Sequence, residues 1–240
     1  MAKRKPRFEE LILFQNKDYI LVNKPPFLST LEDRVSEDNL LALAREYEAQ
    51  AQAAHRLDKG TSGVLAIARN PEAYRHLSLQ FEARSVTKVY HAVADGRHDF
   101  KEMFVSARIQ KMKDGVVKLA TRGKDAETRF ETMEVFPLHT LIECRPVTGR
   151  MHQIRVHLAS LGAPITGDEL YGGKPFLVSS VKRAYRAKKG TEEQPLIRRM
   201  ALHAFLLEFK GLDSETIRCN APYPKDFAVL LRQLRSHKAN

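Results

Sequence analysis

The chain has 240 residues, of which 43% are apolar, enough to bury a core as one domain or at most two small ones. Disorder and a disulfide scaffold are thereby excluded. Lys and Arg number 40 against 29 Asp and Glu, a formal charge of +11, which points to a nucleic-acid partner with an anionic membrane surface as the rival.

The opening MAKRKPRFEE lacks the apolar stretch of a secretory signal, and no run approaches the ~18 apolar residues of a membrane span. A cytoplasmic protein that does not enter a membrane is expected. Cys144 and Cys219 each sit in a segment of alternating apolarity, which suits reduced core thiols better than a metal pair or a disulfide.

Between residues 11 and 22 the apolar runs LILF and YILV flank the polar turn Gln15-Asn16-Lys17-Asp18, a hairpin pattern that Lys24-Pro25-Pro26 ends. Ser36 is a candidate N-cap for a helix over 39–54, with Leu40, Leu43, Ala44 and Tyr47 on one face. A short apolar strand, 64–68, then feeds a helix capped by Asn70-Pro71 whose stripe is Tyr74, Leu77 and Phe81. Residues 86–94, VTKVYHAVA, alternate as a half-buried strand that turns Tyr90 away from Val89.

The stretch 97–125 reads as polar turns with weak alternation, and 127–135 and 138–145 as two strands broken at Pro137 and paired antiparallel. A helix over about 150–161 follows Thr148-Gly149 and stops at Gly162. From 171 to 199 the composition shifts to Gly, Ser and bases, with five positive side chains between Lys182 and Lys189, as in an inserted surface segment. Strands at 201–210 and 216–220 and a helix with the stripe Phe227, Leu230, Leu231 and Leu234 close the chain.

Two segments carry the chemistry. His55-Arg56-Leu57-Asp58 precedes KGTSG and a buried strand, which puts a carboxylate on a loop held at the edge of a core element. Taken alone, Asp58 would more often be a turn residue. The second segment, RPVTGRMHQIRVH, brings arginines and histidines into a turn and the start of a helix; His152 and His157 lie about 140° apart around that helix, too divergent to share a metal.

HRLDKGTSG, KVYHAV and RPVTGRMHQIRVHLASLGAPITGDELYGG, in this order and spacing, together with ILFQNKDYILVNKP near the start, resemble the RluA family of RNA pseudouridine synthases over nearly the whole chain. The resemblance implies an α+β fold: a bent, mostly antiparallel mixed sheet flanked by helices and loops around a basic central cleft. It implies one catalytic domain over 11–240, preceded by a basic extension over 1–10 and carrying a basic insertion at about 174–199.

It also implies an isomerase that needs neither cofactor nor metal and turns specific uridines of tRNA or rRNA into pseudouridine. Asp58 is its nucleophile, with C1′ of the ribose favoured over the base ring as the point of attack, and Arg155 pairs with Asp58. A guanidinium beside a carboxylate in an enclosed cleft favours the ionised form that attack requires. Tyr90 stacks on the target base and helps remove the C5 proton. Arg56 fills the place the flipped base leaves, or else holds a phosphate. His55, Lys88, Arg150, His152 and Leu202 line the motif segments as substrate-facing residues, although packing is the plainer reading of Leu202 beside His203.

Phosphate contacts are expected from Lys3, Arg4, Lys5 and Arg7, and from Lys182, Arg183, Arg186, Lys188 and Lys189 with Tyr185 interleaved. Many relatives carry an S4 RNA-binding domain; with about ten residues before the first strand, recognition here is expected from the catalytic domain and its insertion. FLSTLEDR, residues 27–34, departs from the usual glycine-leucine pattern after NKP. A monomer without an obligate protein partner is the expected state. Two other classes remain open: a non-catalytic RNA-binding or chaperone protein, and a hydrolytic glycosidase pairing Asp58 with Asp168 or Glu169.

Overall fold

The computed structural model describes residues 6–32, 38–113, 115–182, 185 and 192–237. In chain order the first elements are β1 (Ile12–Gln15), β2 (Tyr19–Lys24), α1 (Leu40–Tyr47), β3 (Gln52–Ala53), β4 (Ser62–Ala68), α2 (Pro71–Glu82) and β5 (Thr87–Asp95). They are followed by β6 (Met103–Lys111), β7 (Val117–Leu119), β8 (Lys124–Val135), β9 (His139–Pro146), α3 (Gln153–Ser160), β10 (Leu202–Lys210), β11 (Thr216–Asn220) and α4 (Lys225–Ser236). The class is α+β with a largely antiparallel mixed sheet, as expected. The chain clusters into two compact units, Met1–Lys88 with Ala204–Pro222 and Val89–His203 with Tyr223–Asn240.

The first unit carries strands in the order β1-β2-β4-β10, with β3 on β4 and β11 on β10. The first hairpin forms as the sequence pattern indicates: Asn16 Oδ1 accepts from the amides of Asp18 and Tyr19 at 2.9 and 2.7 Å, closing the turn. All seven residues of β4 are buried, which explains its unbroken apolar run. Asn70 caps α2 by accepting from the Ala73 amide at 2.8 Å, with Pro71 in the first turn.

Helix α1 is shorter than its periodicity suggests. Its cap is Asn39, bonded to the Ala42 amide, while Ser36 lies outside the described residues. It stops at Tyr47 because Gln52 and Ala53 pair with Ala68 and Ile67 of β4, so that sheet hydrogen bonds outcompete a helix-forming composition.

The second unit orders its strands β5-β9-β8-β6-β7, each neighbouring pair antiparallel. Its larger apolar cluster takes Ala92, Val93, Phe130, Phe136, Leu141 and Ile142 from the sheet, Ile154 and Leu158 from α3, and the predicted α4 stripe Phe227, Leu230, Leu231 and Leu234. Each large side chain buried this way contributes about 1.5–3 kcal/mol. Residues 103–111 and 117–119 form strands where the sequence suggested turns. Met103 and Phe104, adjacent and both exposed, hide the alternation, and pairing with β8 supplies the order that local pattern does not. In β5 the alternation holds through Tyr90, after which His91 to Ala94 are all buried. Among the described residues no helix is long and apolar enough to cross a membrane.

Candidate active site

In the first unit the loop bearing Asp58 is held by its backbone. Thr30 Oγ1 donates to the Leu57 carbonyl at 3.0 Å and accepts from the Leu57 amide at 3.1 Å, both buried. The Asp58 carbonyl accepts from the Thr61 amide at 2.9 Å, closing a tight turn, and the Lys59 carbonyl accepts from the Phe27 amide at 2.8 Å. Beneath this, the wholly buried Lys24 donates from Nζ to the carbonyls of Pro25 and Leu28 at 3.0 and 2.8 Å. Segment 24–30 thus props the loop on both sides of Asp58, whose side chain is half-buried. Phe27 holds a φ of 68°, a left-handed conformation that costs a residue with a side chain about 1–2 kcal/mol.

His55, three residues before Asp58, fastens the loop to the core. Its Nε2 accepts from the Ala66 amide at 3.0 Å, which places the ring proton on Nδ1, and its ring stacks on Phe81 at 4.6 Å. Burial, with the nearby Lys88 charge, pushes its pKa down to about 3, so it serves as a neutral anchor. Lys88 lies with Nζ 5.9 Å from the centre of the Phe81 ring, and burial, assisted by Arg84, brings it down to about 8. Arg56 is exposed.

Helix α3 organises the second unit's part. Gln153 Oε1 accepts from the Thr148 hydroxyl at 2.7 Å and the Arg150 amide at 2.9 Å, while Nε2 donates to the Glu127 carbonyl at 2.9 Å and Thr128 Oγ1 at 3.0 Å. That clamp seats the start of α3 on β8. Two residues on, the buried Arg155 donates from Nε and Nη2 to the two carboxylate oxygens of Asp168, both at 2.7 Å. The Tyr171 ring faces the guanidinium at 4.9 Å. Its hydroxyl accepts from the Val117 amide at 3.0 Å and shares a hydrogen bond with His152 Nδ1 at 2.9 Å. Arg155 is fixed at its edge by Asp168 and on its face by Tyr171.

Asp168 and Tyr171 were not separable from their motif in the sequence, because pairing between a helix and a turn 13 residues away has no periodic signature. Their arrangement bears on the glycosidase alternative: Asp168 is buried in an ion pair and Glu169 is exposed on a short turn, so neither stands as a second catalytic carboxylate. His152 bonds Tyr171 and His157 bonds Thr128 Oγ1 at 2.9 Å, two separate duties.

Of the remaining predicted residues, Tyr90 is half-buried on β5, opposite Cys144 of β9, against the apolar cluster. Arg150 is exposed and donates from Nε to the Asp125 carbonyl at 3.1 Å. Leu202 is buried, Lys182 and Arg7 are exposed, and Lys3, Arg4, Lys5, Arg183, Arg186, Lys188 and Lys189 lie outside the described residues. His55, Arg56, Asp58 and Lys88 belong to the first unit, and Tyr90, Arg150, His152, Arg155, Lys182 and Leu202 to the second.

A profile described as RNA pseudouridylate synthase matches residues 18–160. Ribosomal large subunit pseudouridine synthase D of Xanthomonas campestris pv. campestris is 35% identical, over 95% of this chain and 70% of that protein. Synthase C of Vibrio vulnificus is 31% identical, over 96% and 71%. Among solved structures, Human RNA Pseudouridylate Synthase Domain Containing 4 superposes with a TM-score of 0.75 at 26% identity, covering 95% of this chain and 94% of that one. With matches this extensive in profile, sequence and fold, the chain belongs to the RluA-type family of RNA pseudouridine synthases.

Proposed function

We propose that this synthase uses Asp58 as its nucleophile, supported by Arg155 and Tyr90, on a structured RNA in the cytoplasm. Large-subunit ribosomal RNA is the first substrate to test, since the relatives above are named for it. The two units act on this reading as one catalytic domain of a monomer, with the basic segments adding phosphate contacts.

The target uridine leaves its stack at a cost of a few kcal/mol, least in loops. An Asp58 carboxylate oxygen bonds to C1′ as the C1′–N1 bond breaks, and the bonding pair stays on the base. The base turns, C5 bonds to C1′ and the carboxylate departs; C5 then loses its proton, with Tyr90 assisting, and N1 gains one. Atoms balance without a cofactor. Arg155, gripped by Asp168 through Nε and Nη2, is on this reading the cation that pairs with Asp58.

The observation that carries this reading is the Asp58 loop, its backbone tied by the Thr30 hydroxyl and the Phe27 amide on either side of the carboxylate. Pre-organisation of that kind serves attack in line with a bound sugar. The test is tritium release from uridine labelled at C5, in unmodified ribosomal RNA, by wild type and Asp58→Ala. Release by wild type alone supports the reading. No release by wild type, with RNA bound, favours the non-catalytic binder; release by Asp58→Ala removes Asp58 as the nucleophile.

A further inference from the structure

We propose that Phe27 is an RNA-stacking residue, a contact of this chain's own beside the catalytic loop, whose ring takes a nucleobase next to the flipped uridine. The inference rests on the functional reading above and adds a binding residue to it.

Three observations meet at this position. Phe27 is 53% exposed, the most exposed of the large apolar side chains among the first unit's described residues, so the core does not account for it. Its φ of 68° is one that glycine adopts freely and phenylalanine does not, so local stability opposes the residue found there. Its amide donates to the Lys59 carbonyl at 2.8 Å, which holds the backbone in that conformation and fixes Phe27 to the residue that follows Asp58. A ring kept exposed against conformational preference calls for a reward outside the folded chain.

The chemistry of the neighbourhood names the ligand. Arg56 and Lys59 are exposed on the same short loop, and cations interleaved with an aromatic face are what a single-stranded nucleic acid meets in a stacking site. Flipping a uridine leaves its neighbours with bare faces, and a flat apolar ring at the rim of the site covers one of them. Pro25 and Pro26 stiffen the chain before the ring and lower the entropy lost when it is ordered by RNA.

The test compares Phe27→Gly, Phe27→Leu and Phe27→Tyr in the full chain. It measures the thermal midpoint, affinity for unmodified large-subunit ribosomal RNA transcribed in vitro, and pseudouridine formation at saturating RNA. Phe27→Gly is expected to keep or raise the thermal midpoint while weakening RNA binding about 5- to 100-fold, the range for loss of one stacked base. Phe27→Leu, apolar but not flat, should also bind weakly, and Phe27→Tyr should bind within about twofold of wild type. Saturating RNA should restore most of the rate in each.

Binding by Phe27→Gly or Phe27→Leu as tight as wild type overturns the proposal. So does a Phe27→Gly protein that loses stability along with affinity, because the ring would then be structural. If wild type forms no pseudouridine, the enzymatic reading falls by that result, and the affinity series still decides whether Phe27 contacts RNA.

Discussion

Removing one side of the Arg155–Asp168 pair should destabilise the protein more than removing both. The two side chains are 9% and 3% exposed and meet through two 2.7 Å bonds, so a single replacement strands a full charge where water cannot reach it. Such a loss costs about 3–5 kcal/mol, a large part of the ~5–15 kcal/mol that holds a typical domain folded. Asp168→Leu and Arg155→Met should each lower the urea midpoint accordingly, whereas the double variant, apolar on both sides, should recover most of the loss. Urea unfolding at pH 7 of wild type, both single variants and the double variant closes the cycle. Single losses below about 1 kcal/mol that simply add in the double variant would refute the view that the pair is buried and mutually compensating. The pair also alters the expectation for Arg155 in catalysis: an inactive Arg155 variant must first be shown to be folded at the assay temperature.

Acid should destabilise the second unit through its neutral histidines. Burial lowers His91 and His157 to about 4, below the ordinary 6.5 that they regain on unfolding. Their stabilising contribution is therefore complete above pH 6.5 and is lost as the pH falls toward 4, about 2 kcal/mol each by pH 5. His157→Gln should remove its own share, about 2 kcal/mol, of the stability lost between pH 7 and pH 5 in urea unfolding, and an unchanged loss would count against it. Gly63, at a φ of 121° in β4, has no room for a Cβ, which would strike the Ala204 carbonyl. Gly63→Ala should cost at least about 2 kcal/mol and lower the thermal midpoint, and a midpoint within a degree of wild type would contradict the close approach. Burial raises the thiol pKa of Cys144 well above that of an ordinary cysteine. It should resist a thiol reagent in native protein and react only as urea unfolds the chain, leaving the less buried Cys219 as the first site modified.

The sequence was most legible where local chemistry sets local structure. Asn16 and Asn70 announce a turn and a cap that the hydrogen bonds bear out, and the α4 stripe is the one buried. It was least legible where distant segments decide. The end of α1 is set by Gln52 and Ala53 pairing with β4, and β6 owes its strand to β8 rather than to alternation of its own. The motif segments singled out Asp58 and Arg155 as candidates, but not that Thr30 and Phe27 hold the loop of the first or that Asp168 and Tyr171 grip the second. Those contacts join segments whose side chains show no shared period. Phe27 left one trace, the departure after NKP, whose meaning depends on a backbone angle that no residue pattern displays.

The first unit is built from two separated stretches of chain, the second of them Ala204–Pro222. As a ribosome releases the chain from its N-terminus, the loop carrying Asp58 emerges early, yet β10 and β11 are still inside the exit tunnel or unsynthesised. Its sheet waits for a final hairpin that lies more than 140 residues after Asp58. A chain interrupted anywhere before that point leaves the Asp58 loop on an unfinished sheet.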